Sequence, residues 1–186
     1  AMKVMAGSMK PTAIGVADFY AARYASADGA LAWEQTFDGS GNLEDTPKCV
    51  AIDAAGNVIV AGNSSIPVTG SLDFYTIKYS PAGAVLWGHA YGNTNATSDE
   101  LISMALDSLG NVIVTGNSGN DYYTAKYAAA DSALIWEQRY ANPANNIDEP
   151  RSLVVDSVGN AIVTGRSYAS TTGFDYYTAK YAASDG

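Results

Sequence analysis

The chain has few of the residues that most often carry chemistry or form cross-links. Its 186 residues include one cysteine, Cys49, and one histidine, His89. A single cysteine excludes an internal disulfide framework and a thiolate metal cluster. A single histidine means that any zinc site or Ser-His-Asp triad would have to use His89.

Basic charge and long apolar runs are also scarce. The sequence contains ten Lys and Arg residues and nineteen Asp and Glu residues, which gives a net charge of −9. Such a chain lacks the positive field that holds phosphate backbones or anionic lipids, so we expect neither nucleic acid nor a membrane as a partner. The longest apolar runs, such as 58–61, are too short to span a bilayer. Charged residues are only 16% and apolar ones 47%, which argues against disorder and a coiled coil.

What the sequence does contain is an internal repeat. The run Asp-Tyr-Tyr-Thr-Ala-Lys-Tyr-Ala-Ala at 121–129 recurs unchanged at 175–183, with degraded copies at 73–79 and 18–24. Two further markers return in the same order, a tryptophan segment at 31–37, 85–91 and 134–140 and an Asp-x-x-Gly-Asn segment at 53–57, 107–111 and 156–160. Three independent markers with a period of about fifty residues make a chance pattern very improbable.

Each repeat unit predicts four short strands and little helix. The Asp-x-x-Gly-Asn segment is a hairpin turn between strands at 50–53 and 58–61, and a second turn at 80–84 separates two more strands. Alternation places Tyr75, Ile77 and Tyr79 on one side of their strand. One sheet cannot bury these rings alone, so the pattern predicts an all-β fold, a β-propeller of four-stranded blades of about fifty residues. A β-solenoid is the alternative, although its coils are usually much shorter.

The repeat markers predict one β-propeller, or half-propeller, domain over residues 1–186. Two complete blades are flanked by partial blades at both ends, with repeat units at about 1–47, 48–100, 101–150 and 151–186. Residues 1–8 leave two interpretations open. They are either a worn second strand or a cloning remnant that precedes a native start at Met9.

The segment Leu-Val-Val-Asp-Ser-Val-Gly-Asn-Ala-Ile-Val-Thr-Gly at 153–165, with the Asp-Tyr-Tyr-Thr-Ala-Lys-Tyr and Leu-Ile-Trp segments, resembles the bacterial β-propeller repeat called SBBP. The resemblance covers essentially the whole chain. It implies the propeller fold and no fixed chemistry. It also implies a secreted or cell-surface location, since such repeats tend to occur in exported or surface proteins of bacteria.

The number of repeats is too small to close a ring, since known propellers have about four to eight blades or more. An open arc would leave large aromatic faces bare, on the order of 700 Å² each. Two explanations stay open: a second copy completes the ring, or the chain is a piece of a longer propeller. We expect a homo-oligomer, a dimer that completes the ring.

Neither the cysteine nor the histidine is expected to be catalytic, because both stand at ordinary repeat positions. Cys49 aligns with Ser103 and Ser152, whereas His89 aligns with glutamines at 35 and 138. The repeated lysines at 78, 126 and 180, with Arg23 in the fourth copy, are expected to pair with acids or to extend along apolar surface.

Repeated acids supply the one candidate ion site. Asp45, Asp99 and Asp148 each lie eight residues before the aspartate of an Asp-x-x-Gly-Asn turn, just ahead of the predicted innermost strand. If these strands line a channel, the three aspartates form an acidic ring suited to Ca²⁺, which takes six to eight oxygen ligands. The alternative is that each aspartate caps its own turn. No other cofactor is expected.

These features together favour a non-catalytic scaffold, a binding or assembly module that presents polar loops to a protein or a glycan. The longest loops are expected at 63–72 and 166–174. Two alternatives stay open: a structural repeat segment of a larger surface protein, or an ion-dependent lectin or hydrolase that uses acids at the channel mouth.

Overall fold

A computed structural model describes residues 3–9, 16–40, 43–67, 69–92, 98–143 and 146–186. These residues contain fourteen strands in four antiparallel sheets, which confirms the all-β prediction. The chain divides into two compact units, Ala1–Ala96 and Thr97–Gly186. No helix in the described part of the chain has the length and apolar character needed to cross a membrane.

The first unit holds sheets 1 and 2. Sheet 1 consists of β1 (Lys3–Met9), β2 (Asp18–Tyr24) and β3 (Leu31–Phe37) in the order β1-β2-β3. Sheet 2 consists of β4 (Asp45–Ile52), β5 (Val58–Ser65), β6 (Leu72–Tyr79) and β7 (Val85–Tyr91) in the order β4-β5-β6-β7.

The second unit holds sheets 3 and 4. Sheet 3 consists of β8 (Asp99–Leu106), β9 (Val112–Ser118), β10 (Asp121–Tyr127) and β11 (Leu134–Tyr140). Sheet 4 consists of β12 (Asp148–Val155), β13 (Ala161–Ala169) and β14 (Gly173–Tyr181). We name the four strands of a complete sheet a, b, c and d in chain order.

Sheet 1 contains strands b, c and d, whereas sheet 4 contains strands a, b and c. The register identifies β1 as a b strand, because Gly7 pairs with Tyr20 as Gly62 pairs with Tyr75 in sheet 2. Residues 3–9 therefore occupy the place of strand b in sheet 1.

Strand lengths differ from the sequence prediction at two places. Strand a begins at the aspartates themselves, so that Asp45 opens β4 rather than preceding it. Strands b and c extend into both segments expected as long loops, since β5 reaches Ser65 and β13 reaches Ala169. The sequence did not predict this extension, because polar residues such as Asn63 and Ser64 are typical of loops. In the structure they are buried because their strand pairs with β4 and β6.

The Asp-x-x-Gly-Asn turns form as predicted. Asp53 Oδ1 accepts hydrogen bonds from the backbone N–H groups of Ala55 and Asn57, and Asn57 Nδ2 donates to Asp53 Oδ2 at 2.8 Å. Gly56 has φ of +81°, a conformation that favours glycine. The same bonds recur around the aspartates at 107 and 156.

Within each unit the sheets pack through opposite faces. We call face A the side that carries the aromatic residue directly after the aspartate of strand c, which is Phe19, Phe74, Tyr122 or Tyr176, and face B the side that carries the aromatic residue directly after that one. In the first unit, Phe19 of face A packs against Val60 and Tyr79 of face B. In the second unit, Tyr122 and Trp136 of face A pack against sheet 4, and the Tyr140 and Tyr177 rings stack with centroids 3.6 Å apart.

Polar side chains on face A fasten each sheet to the c–d turn of the sheet that covers it. In the first unit, Arg23 Nη1 and Trp33 Nε1 donate to the Pro81 carbonyl at 2.8 and 3.1 Å. In the second unit, Lys126 Nζ donates to the Ala183 carbonyl at 2.7 Å, and Trp136 Nε1 donates to it at 3.4 Å. We call this repeated set of bonds the turn latch.

The repeated lysines pair with the turn aspartates of their own sheets, which confirms the expected pairing with acids. The three Nζ–Oδ2 distances are all 2.9 Å, for Lys78–Asp53, Lys126–Asp107 and Lys180–Asp156.

Candidate functional site: an aspartate cluster in the first unit

Three aspartates converge where sheet 1 meets sheet 2. Asp18 opens β2, Asp38 follows β3, and Asp45 opens β4. One carboxylate oxygen from each residue lies within 4.8 Å of the other two. Asp18 and Asp45 are buried, with 3% and 1% of their surface exposed, whereas Asp38 is exposed. We call these three residues the aspartate cluster.

Backbone hydrogen bonds hold the cluster together. The Asp45 N–H donates to the Ala17 carbonyl at 2.7 Å, which places the start of β4 beside the start of β2. The Gly39 N–H donates to Asp45 Oδ2 at 2.6 Å, which turns the segment after β3 back towards β4. Residues that are far apart in the sequence are therefore brought together by two short contacts of the main chain.

The cluster concentrates negative charge that the described residues do not neutralise. Asp18 Oδ1 and Asp45 Oδ1 are buried without a hydrogen-bond partner, and no described ion pair includes a member of the cluster. Burial raises the pKa of Asp18, and the charges of Asp38 and Asp45 raise it further. Buried carboxylates in such surroundings are unfavourable unless a proton or a cation compensates them.

The equivalent position in the second unit is satisfied by protein groups. Asp148 stands at the repeat position of Asp45, and Asn142 stands at that of Gly39. The Asn142 N–H donates to Asp148 Oδ2 at 2.7 Å, and Asn142 Nδ2 donates to Asp148 Oδ1 at 2.8 Å. Gly39 supplies only the first of these two bonds, so Asp45 keeps one oxygen without a donor.

The other two members of the cluster also differ from their counterparts. Asp121, at the repeat position of Asp18, forms an ion pair with Arg139 at 3.3 Å. Thr36 stands in place of that arginine in sheet 1. The position of Asp38 is occupied by Ala141 in sheet 3. Among the described residues, three carboxylates therefore meet where the repeat sequence departs from its own pattern.

A solvent-accessible cleft of about 350 Å³ lies beside the cluster. Asp38, Gly39, Ser40, Ser64 and Tyr75 are among the residues that line it. Asp38 therefore borders the cleft, and one of its carboxylate oxygens lies within 4.8 Å of an oxygen of each buried aspartate.

The structure places the three sequence-predicted calcium ligands at equivalent positions on different sheets. Asp45, Asp99 and Asp148 are the first residues of β4, β8 and β12, and all three are buried. Asp45 belongs to the aspartate cluster. Among the described residues, neither Asp99 nor Asp148 belongs to a cluster of three or more potential ligand residues whose ligand atoms are close enough to hold one metal ion. Asp148 caps the connection before its strand rather than its own turn.

Asp18 and Asp38 were missed as site residues by sequence reasoning. Asp18 belongs to the repeat marker and so looks like a packing residue. Asp38 did carry a signal, since glycine and alanine occupy its position at 92 and 141. A charge that appears in one copy of a repeat is informative because repeat packing does not require it.

Cys49 and His89 lie on β4 and β7, and both are partly buried. Burial lowers the pKa of His89. Neither residue belongs to a metal-ligating group among the described residues.

The comparisons with known proteins add no relative. No protein-family model matches the chain, and no curated protein matches it.

Proposed function

We propose that the four sheets are blades of a β-propeller, and that the chain is a non-catalytic binding and assembly module whose ring is completed by a second copy. The observation that carries this proposal is the exposure of Tyr176. Tyr176 is 97% exposed, whereas Tyr122 and Phe19, at the same repeat position, are 0% and 1% exposed. Of the three sheets compared, only sheet 4 has this packing residue exposed to solvent.

The rest of face A on sheet 4 supports the same conclusion. The Lys180 side chain is 57% exposed, whereas the Lys126 side chain at the equivalent position is 4% exposed. Lys126 reaches the c–d turn of the sheet that covers it, and Lys180 has no covering turn in the described chain. Large exposed apolar faces of this kind mark interaction surfaces.

Sheet 1 offers the matching surface. Its face B carries Met5, which is 55% exposed, together with the partly exposed Tyr20 and Tyr24. Face A packs on face B in both units, so face B of sheet 1 is the surface that suits face A of sheet 4. A second copy of this chain supplies that surface.

The turn latch strengthens the choice of a second copy. The c–d turn at 25–30 of sheet 1 closes with a bond from the Gly29 N–H to the Ala25 carbonyl at 3.0 Å. The turn at the end of sheet 4 closes in the same way, from Gly186 to Ala182 at 3.1 Å. By this equivalence, Lys180 of one copy would donate to the Ser26 carbonyl of the other, as Lys126 does to Ala183.

Two such contacts related by a two-fold axis bring eight sheets together, within the range known for propellers. The resemblance to the SBBP repeat points to the same architecture. In this arrangement, Thr69 of one b–c connection and the exposed Ser and Thr residues at 170–172 of another are presented to a protein or glycan ligand. Loops on a rigid sheet scaffold are the usual place for such contacts.

A cross-linking experiment tests the arrangement. One preparation carries Ser26→Cys and another Lys180→Cys, both with Cys49→Ser, the residue found at the equivalent positions 103 and 152. Mixed and treated with a short bismaleimide, the two preparations should give a covalent dimer that neither gives alone. Replacing Lys180→Cys by Leu109→Cys, which places the thiol at an exposed a–b turn, supplies the control. No cross-link in the mixture, or equal yield with the control, contradicts the proposal.

A further inference from the structure

We propose that the aspartate cluster binds one divalent cation, with Ca²⁺ preferred, and that Asp18, Asp38 and Asp45 each supply a carboxylate oxygen. This site lies within the first unit and does not depend on the propeller or on the second copy.

The spacing of the carboxylates fits a single coordination shell. Their ligand oxygens lie within 4.8 Å of one another, and Ca²⁺ binds oxygens at about 2.4 Å, so opposite ligands lie about 4.8 Å apart. Carboxylates are the hard, charged ligands that such cations select over softer groups. The three residues together can thus contact one ion without moving apart.

The buried oxygens supply an independent argument. Asp18 and Asp45 are more than nine-tenths buried, and Oδ1 of each has no hydrogen-bond partner. Buried polar atoms in folded proteins are nearly always satisfied by a donor or an ion. A cation in the cluster satisfies both atoms at once and offsets the repulsion among three like charges.

The comparison with the second unit favours a role for the cluster other than ordinary packing. At the equivalent place in the second unit, Asn142 and Arg139 donate to Asp148 and Asp121. That unit folds the same connection without a third carboxylate. The first unit replaces the donors by Gly39 and Thr36, and it adds Asp38. The first two differences remove a hydrogen-bond donor, neutral for Asn142 and positively charged for Arg139, and the third adds a negative charge. All three favour a cation site.

The cleft explains how the shell is completed. Three carboxylates leave several of the six to eight positions around Ca²⁺ to other oxygens. Ser40 and Ser64 border the cleft beside Asp38, and its volume of about 350 Å³ has room for water ligands. Ca²⁺ tolerates such an irregular, partly hydrated shell better than Mg²⁺, which requires near-ideal octahedral geometry.

Calorimetry and thermal unfolding of the full chain test the site, after treatment with a chelator and at constant ionic strength. CaCl₂ should give heat that fits one site per chain, and it should raise the unfolding midpoint by several degrees. Asp38→Ala, which introduces the residue found at 141, should remove both responses. Its calcium-free midpoint should equal or exceed that of the unchanged chain, because one of three like charges is gone.

Two further variants keep the test decisive. Asp175→Asn removes a carboxylate at the repeat position of Asp18 but outside the cluster, so it should keep the full calcium response. Asp45→Asn should lose the response, as Asp38→Ala does. No heat and no shift with the unchanged chain overturn the proposal, as does a response that persists in Asp38→Ala. An equal response to MgCl₂ overturns the preference for Ca²⁺.

Discussion

The buried hydroxyl of Tyr122 lowers the free energy of unfolding, and the equivalent residue Phe19 has no such group. Both rings are buried at the same repeat position, but Tyr122 Oη has no hydrogen-bond partner. Burial raises the pKa of this phenol, so it stays neutral. We expect Tyr122→Phe to raise the free energy of unfolding by about 1 kcal/mol, because an unsatisfied buried polar group costs about 1–3 kcal/mol.

Urea unfolding measures this effect, with Tyr123→Phe as the matched control. Tyr123 Oη donates to Glu137 at 2.7 Å, so its removal should lower stability slightly. A loss of stability in Tyr122→Phe equal to that in Tyr123→Phe would contradict the assignment of an unsatisfied hydroxyl.

Three other residues link the stability of the chain to pH. Burial alone would raise the pKa of Asp107, but hydrogen bonds from Asn111 and Lys126 lower it below its ordinary value of 3.8. The pKa values of Asp53 and Asp156 are lowered by the equivalent partners. A folded-state pKa below the unfolded value adds stability above the unfolded pKa, and that stability is lost as pH falls through the folded pKa.

We therefore expect the turn aspartates to make the free energy of unfolding decrease as pH falls below about 4. Asp107→Asn should flatten this decrease, because asparagine does not titrate. Urea unfolding at several acidic pH values gives the slope, and an unchanged slope in Asp107→Asn would refute the linkage.

At the scale of elements, strand a leaves no room for a side chain at one position of strand b. A Cβ on Gly62 would overlap the Thr46 carbonyl oxygen and Pro47, and one on Gly165 would overlap the Glu149 carbonyl oxygen. These contacts lie at the register shift that each strand a contains. A Cβ on Gly7, at the same position in sheet 1, would meet nothing within 4 Å, because no described strand pairs with β1 on the side where strand a lies in sheet 2.

Gly62→Ala should therefore lower the free energy of unfolding by about 2 kcal/mol or more, since the clash is with backbone that cannot easily move. Gly7→Ala should leave stability unchanged or raise it slightly, because alanine restricts the unfolded chain. Thermal unfolding of the two variants provides the comparison. Equal effects would mean that strand a does not set the need for glycine.

The elements were largely predictable from the sequence, because turns and alternation are local signals. The Asp-x-x-Gly-Asn segment encodes its own hydrogen bonds, so its hairpins were predicted correctly. The extension of β5 to Ser65 was not predictable, since its buried polar residues are stabilised by neighbouring strands. The aspartate cluster was missed for a related reason, because Asp18 and Asp45 meet only through tertiary contacts.

At the scale of the whole molecule, two sheet faces have no described sheet packed against them. These are face B of sheet 1 and face A of sheet 4. Among the residues that the structure describes, sheet 1 contains strands b, c and d but not a, and sheet 4 contains strands a, b and c but not d. Tyr176 and Lys180 are exposed where their counterparts Tyr122 and Lys126 are buried. The proposed dimer uses these faces, whereas the proposed ion site lies within one unit. A negative result for one proposal therefore does not contradict the other.

The proposed dimer is tested by the mass of the chain in solution, measured by light scattering after size exclusion over a dilution series. We expect a dilution-resistant dimer near twice 19.4 kDa, and a shift to the 19.4 kDa monomer in Tyr176→Asp but not in Leu109→Asp. A stable monomer of the unchanged chain would contradict it, because the bare aromatic face of sheet 4 would then need no partner.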